Sequence, residues 1–176
     1  MKKVVLKSPA TVANLVCGFD VLGMCLAEPY DRMEVHLLDE PVIRIKSLDG
    51  YPLPEDPALN TAGAPLLEML KELDTRVGFE VWIQKKIKPG SGLGSSAASA
   101  AGAVVGANAL LGNRFSKEEL LRFGMYGEKV ASGVKHADNL APCIYGGVTL
   151  IRSIFPLDVI AITSPELYVT VVHPQI

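Results

Sequence analysis

The chain has 176 residues, 49% hydrophobic and 20% charged, with a formal net charge of −2, enough for one domain with a real core. The charge balance excludes a nucleic-acid track, because the longest basic clusters are Lys2–Lys3 and Lys85–Lys86 with Lys88. No segment approaches the ~20 apolar residues of a membrane span, and Lys7 and Pro9 interrupt the first apolar run too early for a signal peptide.

In chain order, residues 2–7 (KKVVLK) read as a first strand ended by Ser8–Pro9. Residues 20–27 and 31–38 read as two more. The latter alternates Met33, Val35 and Leu37 against Arg32, Glu34 and His36. "PVIRIKSL" repeats the alternation, and the proline-rich DGYPLPEDP is a loop. Residues 59–73 predict a helix with Leu66, Leu67, Leu70 and Leu73 as its apolar stripe. Pro65 then fits only in the first turn, where no intrahelical N–H bond is lost. "GFEVWIQKKI" is a strand with Phe79, Val81 and Ile83 on one side. Ser95 to Leu111 is a helix of small residues that must pack closely all round, and Ser116 to Glu119 (SKEE) is a capping box opening a helix toward Val130. After the polar turn KHADN, three strands are expected: CIYGGVTLI, LDVIAI and ELYVTVV. This order predicts α+β layering, not regular βαβ alternation. The chain stops soon after its last expected strand, so a longer parent protein is expected. Cys17, Cys25 and Cys143 form no C-x-x-C. They suggest a reducing, cytoplasmic setting and read most simply as small buried residues.

Between the 78–87 strand and the 95–111 helix lies Gly90-Ser91-Gly92-Leu93-Gly94-Ser95-Ser96. A helix N-terminus leaves N–H groups without partners and carries partial positive charge. Glycines let an anion approach that end, which makes a phosphate cradle. The serines can cap the helix, bond a phosphate or ligate Mg²⁺. The Walker pattern lacks its lysine here, the glycines at 90, 92 and 94 miss G-x-G-x-x-G, and G-x-S-x-G is absent. The plainer alternatives are a linker or simple helix packing, yet a linker would not run directly into a long apolar helix. A helix end contributes about 0.3–2 kcal/mol, whereas micromolar affinity needs about 8 kcal/mol. A metal and an acidic ligand should therefore assist. Glu128 is the candidate, with a solvated helix face as its plainer reading.

"PGSGLGSSAA" (89–98) resembles the phosphate loop of the GHMP kinases. "SPATVANLVCGFDVLGMCL" resembles the N-terminal signature of the homoserine kinases within that superfamily, and "YGEKVASGVKHADNLAPCIYGG" resembles their segment with a magnesium-binding Glu and a His-x-Asp-Asn turn. The resemblance runs over the whole chain. It implies a two-layer α+β domain of the GHMP N-terminal, ribosomal-protein-domain-2-like type, with a left-handed βαβ unit, spanning 1–176. It implies ATP-dependent phosphorylation of the side-chain hydroxyl of L-homoserine, in threonine biosynthesis. Pro89, Gly90, Ser91, Gly92, Leu93, Gly94, Ser95, Ser96, Ala97, Ala98 and Ser99 would wrap the phosphates of ATP. Ser96 and Glu128 would hold Mg²⁺, and Asn60 would lie near the adenine. Asn14, Asp20, His136, Asp138 and Asn139 would line the homoserine site, with Asp138 and Asn139 nearest the chemistry. Each has a plainer reading alone: Asn14 as a turn residue, Asp20 as a strand-start cap, His136 as a loop histidine.

The family's third glycine-rich motif, near G-S-G-P-[ST] in a C-terminal domain, is not in this chain. The expectation is therefore an N-terminal fragment of reduced or no activity, whose uncovered strands would pair in a homodimer. Two rivals remain open: a GHMP kinase for mevalonate or an isoprenoid phosphate, and a non-catalytic nucleotide-binding or assembly module.

Overall fold

The structure, a computed structural model, describes residues 2–74 and 76–172. Its spine is a long hairpin of β1 (Lys3–Asn14) and β2 (Gly18–Leu38). The separate strands expected at 20–27 and 31–38 are one continuous strand. Pro9 and Pro29 cannot donate to the ladder, and the register slips between Pro9 and Thr11 instead of the strands ending there. The second half of β2 pairs antiparallel with β4 (Gly78–Lys85), and Leu22–Met24 pair with β5 (Val148–Ile154). β3 (Ile43–Gly50) lies parallel to β4, and β6 (Leu157–Ile162) is paired with β5. The order is β3-β4-β2-β5-β6, with β1 also on β2.

A parallel pair needs a crossover. The chain from β3 to β4 supplies it through a 3-10 turn (Pro57–Leu59) and α1 (Gly63–Lys71), with Pro65 in the first turn as expected. Met33 and Val35 of β2, Ile43 and Ile45 of β3, and Phe79, Val81 and Ile83 of β4 are buried on one sheet face with Leu66, Met69, Val104 and Phe123 of the helices. The expected two layers are present. α2 (Ser95–Leu110) is buried on every side from Ala97 to Ala107 apart from Val105, which explains its small residues. α3 (Lys117–Ser132) opens on the expected capping box: Ser116 accepts from the Glu119 N–H, and Glu119 accepts from the Ser116 N–H.

Two expectations at the C-terminal side are corrected. "CIY" belongs to a short helix, α4 (Leu140–Tyr145), not a strand. Pro142 sits in its first turn and Gly146, at φ 82°, ends it. "ELYVTVV" is not a strand: residues 166–172 have no ladder partner among the described residues and are exposed, because alternation makes a strand only where a neighbouring edge accepts it. The cysteines also differ from expectation. All are free, but Cys17 is exposed and Cys25 and Cys143 are only half-buried.

Candidate active site

The end of β4, the start of α2, the later turns of α3 and the 135–139 turn converge at one end of the molecule. They border a cleft of about 540 Å³ lined by Pro89, Gly90, Gly92, Gly94, Ser95 and Ser96 on one side and by Leu53, Leu59 and Val130 on another. Gly94 is the N-cap of α2 with a left-handed φ of 63°. A Cβ there would stand 1.9 Å from the Thr11 hydroxyl oxygen, so only glycine fits. Around Gly90 and Gly92 a Cβ would meet nothing within 4 Å, leaving the backbone open to an incoming group. Ser91 N–H bonds to the Lys88 carbonyl. Among the described residues the N–H groups of Gly92, Gly94, Ser95 and Ser96 have no protein acceptor, which leaves a row of amides at a helix N-terminus for an anion.

Other residues expected in the phosphate wrap do not face the cleft. Ala97, Ala98 and Ser99 are buried inside α2, and Leu93 packs against the Ala10–Leu26–Ile87 cluster. They shape the loop from behind. Asn60 borders the cleft, but its side chain is already engaged: Oδ1 accepts from the Ala62 N–H (2.8 Å) and Nδ2 donates to the Pro54 carbonyl (2.7 Å). It holds the 52–54 loop that forms the apolar wall.

Glu128 is buried, which overturns its solvated reading, and its Oε1 has no hydrogen-bond partner. Burial pushes its carboxyl above the usual range, the Ser96 hydroxyl opposes this, and Asp138 adds to it. A buried carboxylate oxygen without a partner, beside a serine hydroxyl at the glycine loop, has the hard-oxygen chemistry that suits Mg²⁺. No cluster of three or more His, Cys, Asp or Glu forms among the described residues. Mg²⁺ held by one or two protein oxygens plus phosphates does not require one.

The residues expected to line an acceptor site lie on the β1–β2 hairpin and the 135–139 turn. Asn14 Oδ1 accepts from the Asp20 N–H (2.8 Å), and both residues have left-handed φ, 70° and 59°. His136 Nδ1 lies 3.9 Å from Asp20 Oδ1. Asp138 is buried, and its carboxyl is raised first by burial and further by Asp20, against the pull of the Asn139 backbone and of His136. Its carbonyl packs on β2 so closely that a Cβ at Gly23 would stand 1.8 Å away. Asn139 links the two halves: it lines the cleft, and its Oδ1 accepts from the Thr11 hydroxyl (2.8 Å). The structure thus brings Asn14, Asp20, His136, Asp138 and Asn139 to one side of the glycine loop.

Three residues escaped the sequence reading. Thr11 ties the loop to the turn, its N–H donating to the Leu93 carbonyl (3.1 Å). Lys85 and Asp31 form an ion pair under the loop, with side chains 2% and 0% exposed. Burial pulls the Lys85 ammonium down, opposed by Asp31.

Residues 60–147 match the family model described as the GHMP kinases N terminal domain. A homoserine kinase of Chloroherpeton thalassium is 46% identical over 189 residues, an alignment covering 100% of this chain and 59% of that protein. One of Methanococcus maripaludis is 42% identical over 177 residues, covering 100% and 58%. The chain therefore spans less than two thirds of the length of these curated relatives. The crystal structure of homoserine kinase from Cytophaga hutchinsonii superposes with a TM-score of 0.86 at 45% identity, covering 94% of this chain and 53% of that one. The Methanococcus jannaschii mevalonate kinase, at 18% identity and a TM-score of 0.68, shares the fold over 93% of this chain and 56% of its own.

Proposed function

The chain belongs to the GHMP kinases, and from that premise we propose that it is the nucleotide-binding part of a homoserine kinase, transferring the γ-phosphoryl group of ATP to the side-chain hydroxyl of L-homoserine. The observation that carries this is the row of unpartnered amides at Gly92, Gly94, Ser95 and Ser96, facing the same cleft as Asn139. Phosphoryl transfer asks mainly for positioning and charge neutralisation, and these groups offer both. The apolar wall of Leu53, Leu59 and Val130 suits a purine, with the triphosphate along the amides.

Ser96 and Glu128 would hold Mg²⁺, which neutralises phosphate charge when bound. Asp20, with a side chain 47% exposed beside His136, can accept charge-assisted hydrogen bonds from the substrate ammonium. Asn14 keeps Asp20 in place through the 2.8 Å bond to its N–H. Asp138, made a better proton acceptor by burial, can take the hydroxyl proton, and Asn139 can orient that hydroxyl without competing for the proton. A largely dissociative transition state needs this base only late in the transfer. The free cysteines suit a cytoplasmic biosynthetic enzyme, and no helix among the described residues is long and apolar enough to cross a membrane.

The test is turnover by the full-length protein with Mg²⁺-ATP and either homoserine or mevalonate, followed by phosphorus NMR of the product. A substrate without an ammonium leaves Asp20 unpaired, so homoserine should be preferred by at least about 100-fold in kcat/KM. Equal or reversed preference overturns the assignment.

A further inference from the structure

The buried ion pair under the glycine loop has no part in the chemistry above, yet its hydrogen bonds form a closed ring. Asp31 Oδ1 accepts from the Lys86 and Ile87 N–H groups (2.7 and 2.9 Å). The Ile87 carbonyl accepts from the Ser95 hydroxyl (2.9 Å). The Ser95 carbonyl accepts from Lys85 Nζ (2.6 Å), which also donates to Asp31 Oδ2 (2.5 Å) and Ser99 Oγ (2.8 Å). All three ammonium protons are used. Residue 87, two residues past the end of β4, and residue 95, where the chain enters α2, are thus fastened to each other through one carboxylate and one ammonium.

We propose that Lys85 and Asp31 are positioning residues that fix both ends of the phosphate loop, so that its free amides stand ready for the nucleotide. Residues 88–94 contain glycines at 90, 92 and 94 and would otherwise sample many conformations, lowering affinity by the entropy lost on binding. Tying the ends shortens the range the loop can explore. The ring also sets the first turn of α2, and with it the direction of the Ser95 and Ser96 amides. A lysine this near a phosphate site would ordinarily be read as a phosphate ligand. Here its three donors are committed to protein oxygens, and it acts through the backbone.

This inference rests on the reading of 89–96 as the phosphate site, so its test is read as Mg²⁺-ATP affinity by calorimetry, independent of homoserine turnover. Removing one charge alone leaves the other buried and unpaired, which destabilises strongly. The informative variant is therefore Asp31→Asn with Lys85→Met, which removes both charges. It should fold, melt close to the parent, and bind Mg²⁺-ATP about tenfold more weakly, while the homoserine KM at saturating ATP changes less than about threefold. A folded double variant with parental ATP affinity would reduce the pair to a stability element and sink the proposal. Hydrogen exchange on the parent decides the matter if the variants do not fold. The Lys86 and Ile87 amides should exchange as slowly as those of β4, and exchange at open-loop rates overturns the fixed-end picture. Failure of the parent itself to bind ATP would instead refute the phosphate-site reading.

Discussion

Two loops approach the 135–139 turn, and they are built in opposite ways. The 87–95 loop puts its left-handed conformations on Gly90, Gly92 and Gly94, and its base is a hydrogen-bond ring around a buried ion pair. The β1–β2 hairpin puts left-handed conformations on Asn14, Leu15, Val16 and Asp20, leaves Val16 and Phe19 exposed, and is braced by the Asn14–Asp20 bond. Residues with a Cβ resist such φ values, β-branched ones most. The glycine loop is relaxed with its ends tied, and the hairpin tip holds strain. Such strain persists where it serves binding or switching, so under the proposed function the two substrates would meet different mechanics: a pre-set cradle for ATP and a sprung arm for the alcohol.

The strongest way to break the contrast is to strain the relaxed loop. Gly94→Ala combines a left-handed φ of 63° with a Cβ 1.9 Å from the Thr11 oxygen. It should destabilise the protein by at least about 2 kcal/mol and weaken Mg²⁺-ATP binding about 100-fold, measured by thermal denaturation and calorimetry. A variant that binds ATP normally would show that the cradle tolerates displacement. Next in size is Glu128→Gln, expected to lower kcat/KM about 100-fold. Stability without metal should move the other way. A carboxyl whose folded pKa is raised by burial supports the fold below its unfolded value, and that support is lost as pH rises through the folded value. The glutamine variant should therefore melt higher than the parent near neutral pH and depend less on pH above the ordinary glutamate range. A lower melting temperature at neutral pH would mean Glu128 is a stabilising anion instead.

On the acceptor side, Asp20→Asn keeps the shape and removes the charge offered to an ammonium. It should raise the homoserine KM about 10- to 50-fold and leave the ATP KM within about twofold, because the hairpin tip is braced by its own Asn14–Asp20 bond. A parallel rise in both would mean the arms are mechanically joined, with the Thr11–Asn139 bond (2.8 Å) as the obvious link.

What could be read from the chain alone follows the same division. The glycine loop's geometry was legible because its causes are local: glycines at 90, 92 and 94 between a strand and a helix, then a capping box at Ser116 and Glu119 on the helix that carries Glu128. Asp31 and Lys85 were not, since they are 54 positions apart and each alone resembles a solvated charge. Thr11 and Asn139, 128 apart, were equally hidden as a pair. The extra helix α4 did leave a trace in Pro142 and Gly146, which bracket it as start and stop signals. Residues 166–172 failed for a different reason: their alternation is real, but a strand is a property of a pair of edges.

The smallest expected effect bears most directly on whether the hairpin is strained. Val16 is fully exposed with φ 69°, so Val16→Gly removes no packing. It relieves about 1–2 kcal/mol of left-handed strain while freeing the unfolded chain by about 0.4–1 kcal/mol. The net gain is about 0.5–1 kcal/mol, or a melting temperature higher by about 1–4 °C for a domain of this size. If the strain aims Asp20 at the substrate, the same variant should bind homoserine a few-fold more weakly, with ATP affinity unchanged, so that stability rises as acceptor binding falls. Higher stability with unchanged homoserine KM would separate the strain from function. An unchanged melting temperature would mean the tip is relaxed after all, and the two loops would then differ only in their exposure to solvent.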